Sequence, residues 1–123
     1  MSKQRTALIV EDDENLAFIF SYALQAAGYQ TAVVSEGRDA WRRLEETLPH
    51  MVVLDLHLPH LAGSEILKRI RSTEATKKMR VVIATADDRL AEQIGRQADV
   101  ILIKPISVAL LRELALRFGQ ELS

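Results

Sequence analysis

Five short apolar runs alternate with segments whose apolar residues recur at helical spacing, and few folds accommodate that alternation. Arg5 to Val10, ending in ALIV, stops abruptly at Glu11, Asp12 and Asp13. From Asp13 the pattern becomes Leu16, Ile19, Phe20, Ala23, Leu24 and Ala27, one face of a helix that Gly28 ends. Gln30 to Val34 is a second strand. Gly37 opens a helix bearing Ala40, Trp41, Leu44 and Leu48, with Pro49 as its stop. Val52, Val53 and Leu54 are apolar, rich in β-branching and too compact for a helix, so they read as a strand buried on both faces. A third helix after Gly63 carries Ile66, Leu67 and Ile70 and runs into a polar segment from Ser72 to Lys78. Val81 to Ala84 is the fourth strand, Arg89 to Gln97 a weakly apolar helix with Gly95 in its last turn, and Val100 to Ile103 the fifth strand. Ser107 is placed to cap a last helix whose face is Leu110, Leu111, Leu114, Ala115 and Phe118, before Gly119. Strict alternation of this kind implies right-handed crossovers and a parallel sheet with helices on both faces, an α/β fold.

Parallel strands bring their carboxyl ends to one edge, where ligands bind in open α/β sheets. Four of the five strands end there in reactive side chains: Glu11 and Asp12 after the first, Asp55 after the third, Thr85 after the fourth and Lys104 after the fifth. Three clustered carboxylates repel one another unless a cation relieves them. Oxygen-only ligation with room for water suits Mg²⁺. A lysine and a hydroxyl beside such an ion are what a phosphoryl group requires, because its transfer depends on positioning and on neutralising its oxygens. Carboxylates also serve as nucleophiles that form aspartyl-phosphates. The constellation therefore predicts phosphorylation of Asp55.

Bulk properties narrow the partners. At 123 residues the chain is expected to be one domain, 1–123, with no repeats or linkers. Sixteen Lys and Arg against seventeen Asp and Glu leave no strong field, so neither direct nucleic-acid binding nor membrane binding is expected. The basic segment Lys68, Arg69, Arg71, Lys77, Lys78 and Arg80 reads as a solvated face, and Trp41 as a partly buried core residue. The absence of cysteine excludes disulfide and thiolate chemistry. No signal peptide or membrane-length apolar run is apparent, and a cytoplasmic setting is expected.

The chain resembles the receiver domain of bacterial two-component response regulators along essentially its whole length. The resemblance rests on IVEDD, on VVLDLHLP with Pro59 four and Gly63 eight residues after Asp55, on Thr85-Ala86 and on Lys104-Pro105. It implies a flavodoxin-like (βα)5 doubly wound sandwich with strand order 2-1-3-4-5. Asp55 is then the phosphoacceptor. Asp12 and Asp55 are direct Mg²⁺ ligands, Glu11 acts through water, and the backbone carbonyl of His57 completes the protein's share of the shell. Thr85 and Lys104 each bind a phosphoryl oxygen. A cis bond before Pro105 is implied too, a form taken by only about 5–6% of X-Pro bonds. Asp13 is left to start the first helix, where a carboxylate suits the dipole.

The implied partner is a histidine kinase or phosphotransfer protein as donor, with an unidentified output domain or partner, in a monomer or weak dimer. The module would be a self-catalysed phosphoryl acceptor rather than a turnover enzyme. Two departures bear on output. Ile101 stands where the family usually carries Tyr or Phe as a rotamer switch, and the interval from Thr85 to Lys104 is short by about one helical turn. Gln97 also stands where a Gly often precedes the Ala-Asp pair. The expectation is a remodelled fourth-helix face and no phosphate-dependent dimer of the usual geometry. The His57 ring and Asp87 are candidates to influence phosphoryl hydrolysis, while His50 and His60 read as loop surface without partners. An alternative is a phosphorylation-independent receiver-like interaction domain. A third reading, an aspartyl-phosphate phosphatase, lacks an insertion long enough for a substrate cap.

Overall fold

A computed structural model describes residues 4–121, so the expected domain limits at 1 and 123 lie outside the described residues. The strands are β1 (Arg5–Val10), β2 (Tyr29–Val34), β3 (Met51–Leu54), β4 (Arg80–Thr85) and β5 (Val100–Ile103). The helices are α1 (Glu14–Ala26), α2 (Gly37–Glu46), α3 (Gly63–Ser72), α4 (Asp88–Ile94), followed by a 3-10 turn at Gly95–Gln97, and α5 (Val108–Glu121). All strand pairs are parallel and the order is β2-β1-β3-β4-β5.

Each strand's side chains alternate between two cores. Ala7, Ile9, Met51, Val53 and Val82 pack with Phe20 and Leu24 of α1 and Leu111 and Ala115 of α5. Leu8, Val10, Val52, Leu54 and Ile83 pack on the other face with Leu44 of α2, Ile66 and Ile70 of α3 and Ile94 of α4. β3 lies in the middle of the sheet and is wholly buried, as its unbroken apolar run predicts. Full burial of one such side chain contributes about 1.5–3 kcal/mol.

The punctuation holds at most boundaries. Asp13 caps α1, its Oδ1 accepting from the N–H groups of Asn15 and Leu16 at 2.9 and 3.1 Å. Gly28 follows α1 at φ 93°, and Ser107 caps α5 through the Leu110 N–H. The Lys104-Pro105 bond is cis. Three expectations are corrected. α2 stops at Glu46, because Pro49 disfavours helical backbone at Leu48, which is left outside the helix and exposed. Gly119 does not end α5; it stays helical and buried where the helix passes the Arg5 side chain, which a Cβ there would meet at 2.8 Å. Ile19 and Leu110 leave the apolar faces assigned to them and are partly exposed, since each core-facing stripe is narrower than its apolar residues.

Candidate functional site

The site is built by extending three strands one residue past their ends. Asp55 N–H donates to Val10 O at 3.0 Å, Glu11 N–H to Val34 O at 3.1 Å, and Lys104 N–H to Thr85 O at 2.8 Å. These bonds continue the ladder, so the backbone of each residue is held by the sheet before its side chain does anything. Gly63, opening α3, sits against the same loop. A Cβ at that position would lie 2.0 Å from the Asp55 carbonyl oxygen.

Glu11, Asp12 and Asp55 each offer an oxygen within 4.8 Å of the other two. Glu11 and Asp55 are buried and Asp12 is exposed. Lys104 reaches in from β5, its Nζ 2.8 Å from Glu11 Oε1 and 3.5 Å from Asp55 Oδ2. A cleft of about 480 Å³ opens above them, lined by Glu11, Asp12, Asp55, His57, Ala86 and Lys104 among others. A second concavity of about 320 Å³, lined by Leu8, Ala32, Arg43 and their neighbours, has no acidic residue in its wall.

Charge is unbalanced in the cleft. Burial pushes the Glu11 carboxyl above its ordinary pKa and the Asp55 charge adds to this, against the hydrogen bonds from Lys104 and the Asp13 N–H. Burial opposes the Lys104 ammonium, but the Glu11 hydrogen bond and the charges of Asp55 and Glu11 outweigh it and hold its pKa above the usual value. The two shifts differ in origin: burial leads for Glu11, whereas the two neighbouring carboxylates, Glu11 and Asp55, prevail over burial for Lys104. Hard oxygen donors, two of them buried and one open to water, fit a hard divalent cation that keeps part of its hydration shell.

Of the sequence-predicted residues, Glu11, Asp12, Asp55, His57 and Lys104 meet at the cleft. His57 donates its N–H to Asp55 Oδ1 at 3.2 Å. Thr85 is fully buried and does not line the cleft; its Oγ1 accepts the Asp87 N–H at 3.0 Å. Ala86 forms the wall there instead. Asp87 caps α4 and faces His57, whose Nε2 lies 3.3 Å from Asp87 Oδ2. The Leu90 N–H above all, and then His57, hold the Asp87 carboxyl below its ordinary pKa. That pairing had no local signal, since the partners are far apart in sequence.

The other two histidines correct the expectation of unpartnered surface. His50 Nδ1 accepts the Thr6 N–H at 3.0 Å at the far end of the sheet, and His60 Nε2 lies 3.6 Å from Glu36 Oε2. Ile101 is partly buried and packs against the core on the α4 side. Among the described residues, no helix is long and apolar enough to cross a membrane.

Known proteins resemble this arrangement. The phosphate regulon transcriptional regulatory protein PhoB of Rhizobium meliloti is 32% identical over 102 residues, covering 80% of this chain and 45% of that protein. The sensory transduction protein RegX3 of Mycolicibacterium smegmatis is 34% identical over 115 residues, covering 91% and 48%. The chain thus spans less than half the length of these relatives. A crystal structure of the receiver domain of sensor histidine kinase PA1611 from Pseudomonas aeruginosa superposes with a TM-score of 0.84 at 27% identity, covering 95% of this chain and 99% of that one. It holds a magnesium ion in its active site cleft. A response regulator structure from Chloroflexus aurantiacus superposes with the same TM-score at 28% identity, covering 94% and 98%. Residues 7–116 match the model of the response regulator receiver domain, and with the strand order and the acidic edge already described, the chain belongs to that family.

Proposed function

We propose that the chain receives a phosphoryl group on Asp55 and thereby switches the face it presents to a protein partner. The observation that supports this reading is the meeting of Lys104 with Asp55 and Glu11 at 3.5 and 2.8 Å beside the carboxylate cluster. An oxygen of Asp55 attacks phosphorus, the bond from phosphorus to the donor imidazole nitrogen breaks, and its electron pair leaves with the imidazole. The product is an acyl phosphate on Asp55. Lys104 is already aimed at Asp55 and pairs with a phosphoryl oxygen as negative charge gathers there. Thr85 accepts the Asp87 N–H through its oxygen and so keeps its own hydrogen to donate, but it lies buried behind the Ala86 wall, and in this reading it binds a second phosphoryl oxygen only by moving into the cleft.

Glu11, Asp12 and Asp55, with the His57 carbonyl, are the residues that would hold Mg²⁺. Bound there, the ion supplies charge neutralisation for the phosphoryl oxygens. The donor in this reading is a histidine kinase or phosphotransfer protein. The output runs through a protein partner, in a cytoplasmic setting, from a monomer or weak dimer. Phosphorylation is stoichiometric and self-catalysed, with no turnover of a released product.

Incubation with acetyl phosphate and Mg²⁺ followed by intact mass measurement is the test. One added phosphoryl, abolished in Asp55→Asn, is the expected result, and an unchanged mass in the wild type overturns it. Ile101 favours a second reading, a constitutive interaction domain, because an aliphatic side chain packed into the core cannot act as the family's aromatic switch. That reading predicts partner binding that is identical with and without the phosphodonor.

A further inference from the structure

His57 and Asp87 join the cleft to α4 by a route that phosphoryl acceptance itself does not use. The His57 N–H is bonded to Asp55 Oδ1, and its ring Nε2 meets Asp87 Oδ2 at 3.3 Å. A carboxylate only accepts, so the ring nitrogen carries the hydrogen. Asp87 is committed twice more: Oδ1 accepts the Leu90 N–H at 3.0 Å, and its own N–H donates to Thr85 Oγ1. The path therefore runs from Asp55 through His57 and Asp87 into the first turn of α4, and returns to the Thr85 hydroxyl.

Two features make this path exchangeable. The His57 and Asp87 side chains are 63% and 38% exposed, so their contact is weak and readily replaced. α4 has seven residues and buries only Ala91 and Ile94, which leaves its first turn dependent on the cap. Residue 101, by contrast, has no ring to move. We propose that Asp87 is the positioning residue through which the state of Asp55 reaches α4. When Asp55 carries a phosphoryl group, the His57 ring N–H turns from Asp87 to a phosphoryl oxygen, and the first turn of α4 loosens. A phosphoryl group brings nearly two negative charges and three acceptor oxygens, a stronger attraction for that N–H than one exposed carboxylate already shared with the helix cap. The inference rests on Asp55 being the phosphoacceptor.

Amide hydrogen exchange at Leu90 to Ile94, read on the full chain with and without acetyl phosphate and Mg²⁺, tests it. Intact mass is recorded for each sample. In the wild type, phosphorylation is expected to speed exchange there by roughly two- to fivefold, the factor that loss of an exposed ion pair allows. His57→Ala leaves Asp87 Oδ1 able to accept from Leu90 but removes the Oδ2 contact that holds the capping carboxylate in place, so it is expected to exchange at the faster rate from the start and to gain nothing on phosphorylation. Asp87→Asn, in which the amide can still cap the helix, is expected to behave alike. A His57→Ala protein that takes up one phosphoryl yet shows the wild-type basal rate and response overturns the inference. Absence of any mass gain in the wild type strikes the phosphoacceptor reading first, and this one with it.

Discussion

Lys104 carries one positive charge into a cleft that three carboxylates share, and two consequences of opposite sign follow. Its ammonium competes with a divalent cation for Glu11 and Asp55 while also serving the incoming phosphoryl oxygens. Lys104→Ala is therefore expected to tighten Mg²⁺ binding, read by titration calorimetry. The same variant should slow phosphoryl uptake from acetyl phosphate by roughly 10²-fold, the usual effect of removing one donor to a developing anion. Weaker Mg²⁺ binding in the variant would mean that the lysine organises the acids rather than competing for them. Glu11, Asp55 and Lys104 were legible in the sequence because each directly follows an apolar run, with Asp12 next to Glu11, and parallel strands leave such residues one edge to occupy. The partners of His50 and His57 were not, since both contacts cross between segments that nothing local links.

At the scale of elements, α3 is fixed at both ends. Its first residue, Gly63, lies so close to the backbone of Asp55 and Leu56 that a methyl group has no room, and the obstacle is main chain rather than a movable side chain. Gly63→Ala is expected to cost roughly 1–3 kcal/mol or more in urea unfolding and to slow phosphorylation, because the displaced segment carries Asp55. Near its other end, Arg71 donates to the carbonyls of Gln97, Lys77 and Met79 and to Asp99 Oδ2, tying the helix to the starts of β4 and β5. Arg71→Ala should destabilise the fold by about 2–3 kcal/mol while leaving the rate of phosphoryl uptake unchanged, since every one of these bonds lies away from the cleft. In the sequence this arginine belongs to a basic stretch that reads as solvated surface. Its four-way bonding is visible only once the carbonyls around it have positions.

For the whole molecule, Tyr29 joins distant parts of the chain: from the start of β2 its hydroxyl donates to the Ala115 carbonyl of α5 at 2.8 Å. Burial raises the phenol's pKa above 10.0, with the Arg5 charge opposing and the Glu121 charge adding. A raised value means that the folded chain holds this proton where the unfolded chain has lost it. The stability it contributes is complete below pH 10 and is lost as pH rises through the folded value. Tyr29→Phe is expected to lower stability by about 1 kcal/mol at neutral pH and to flatten the alkaline fall in melting temperature. An alkaline limb of unchanged steepness in that variant would assign the fall to other groups.

By itself, the sequence determined the alternation of strands and helices, the parallel sheet and the residues that end its strands. Those features are encoded locally, in period, branching and punctuation, and parallel topology does the rest. Tertiary structure alone decided how the acids share Lys104, that Thr85 stands outside the cleft wall, and that His57 meets Asp87. It also decided that Gly119 continues a helix it had been expected to end. Each of these depends on which groups compete for the same few ångströms, and no spacing along a single chain records that competition.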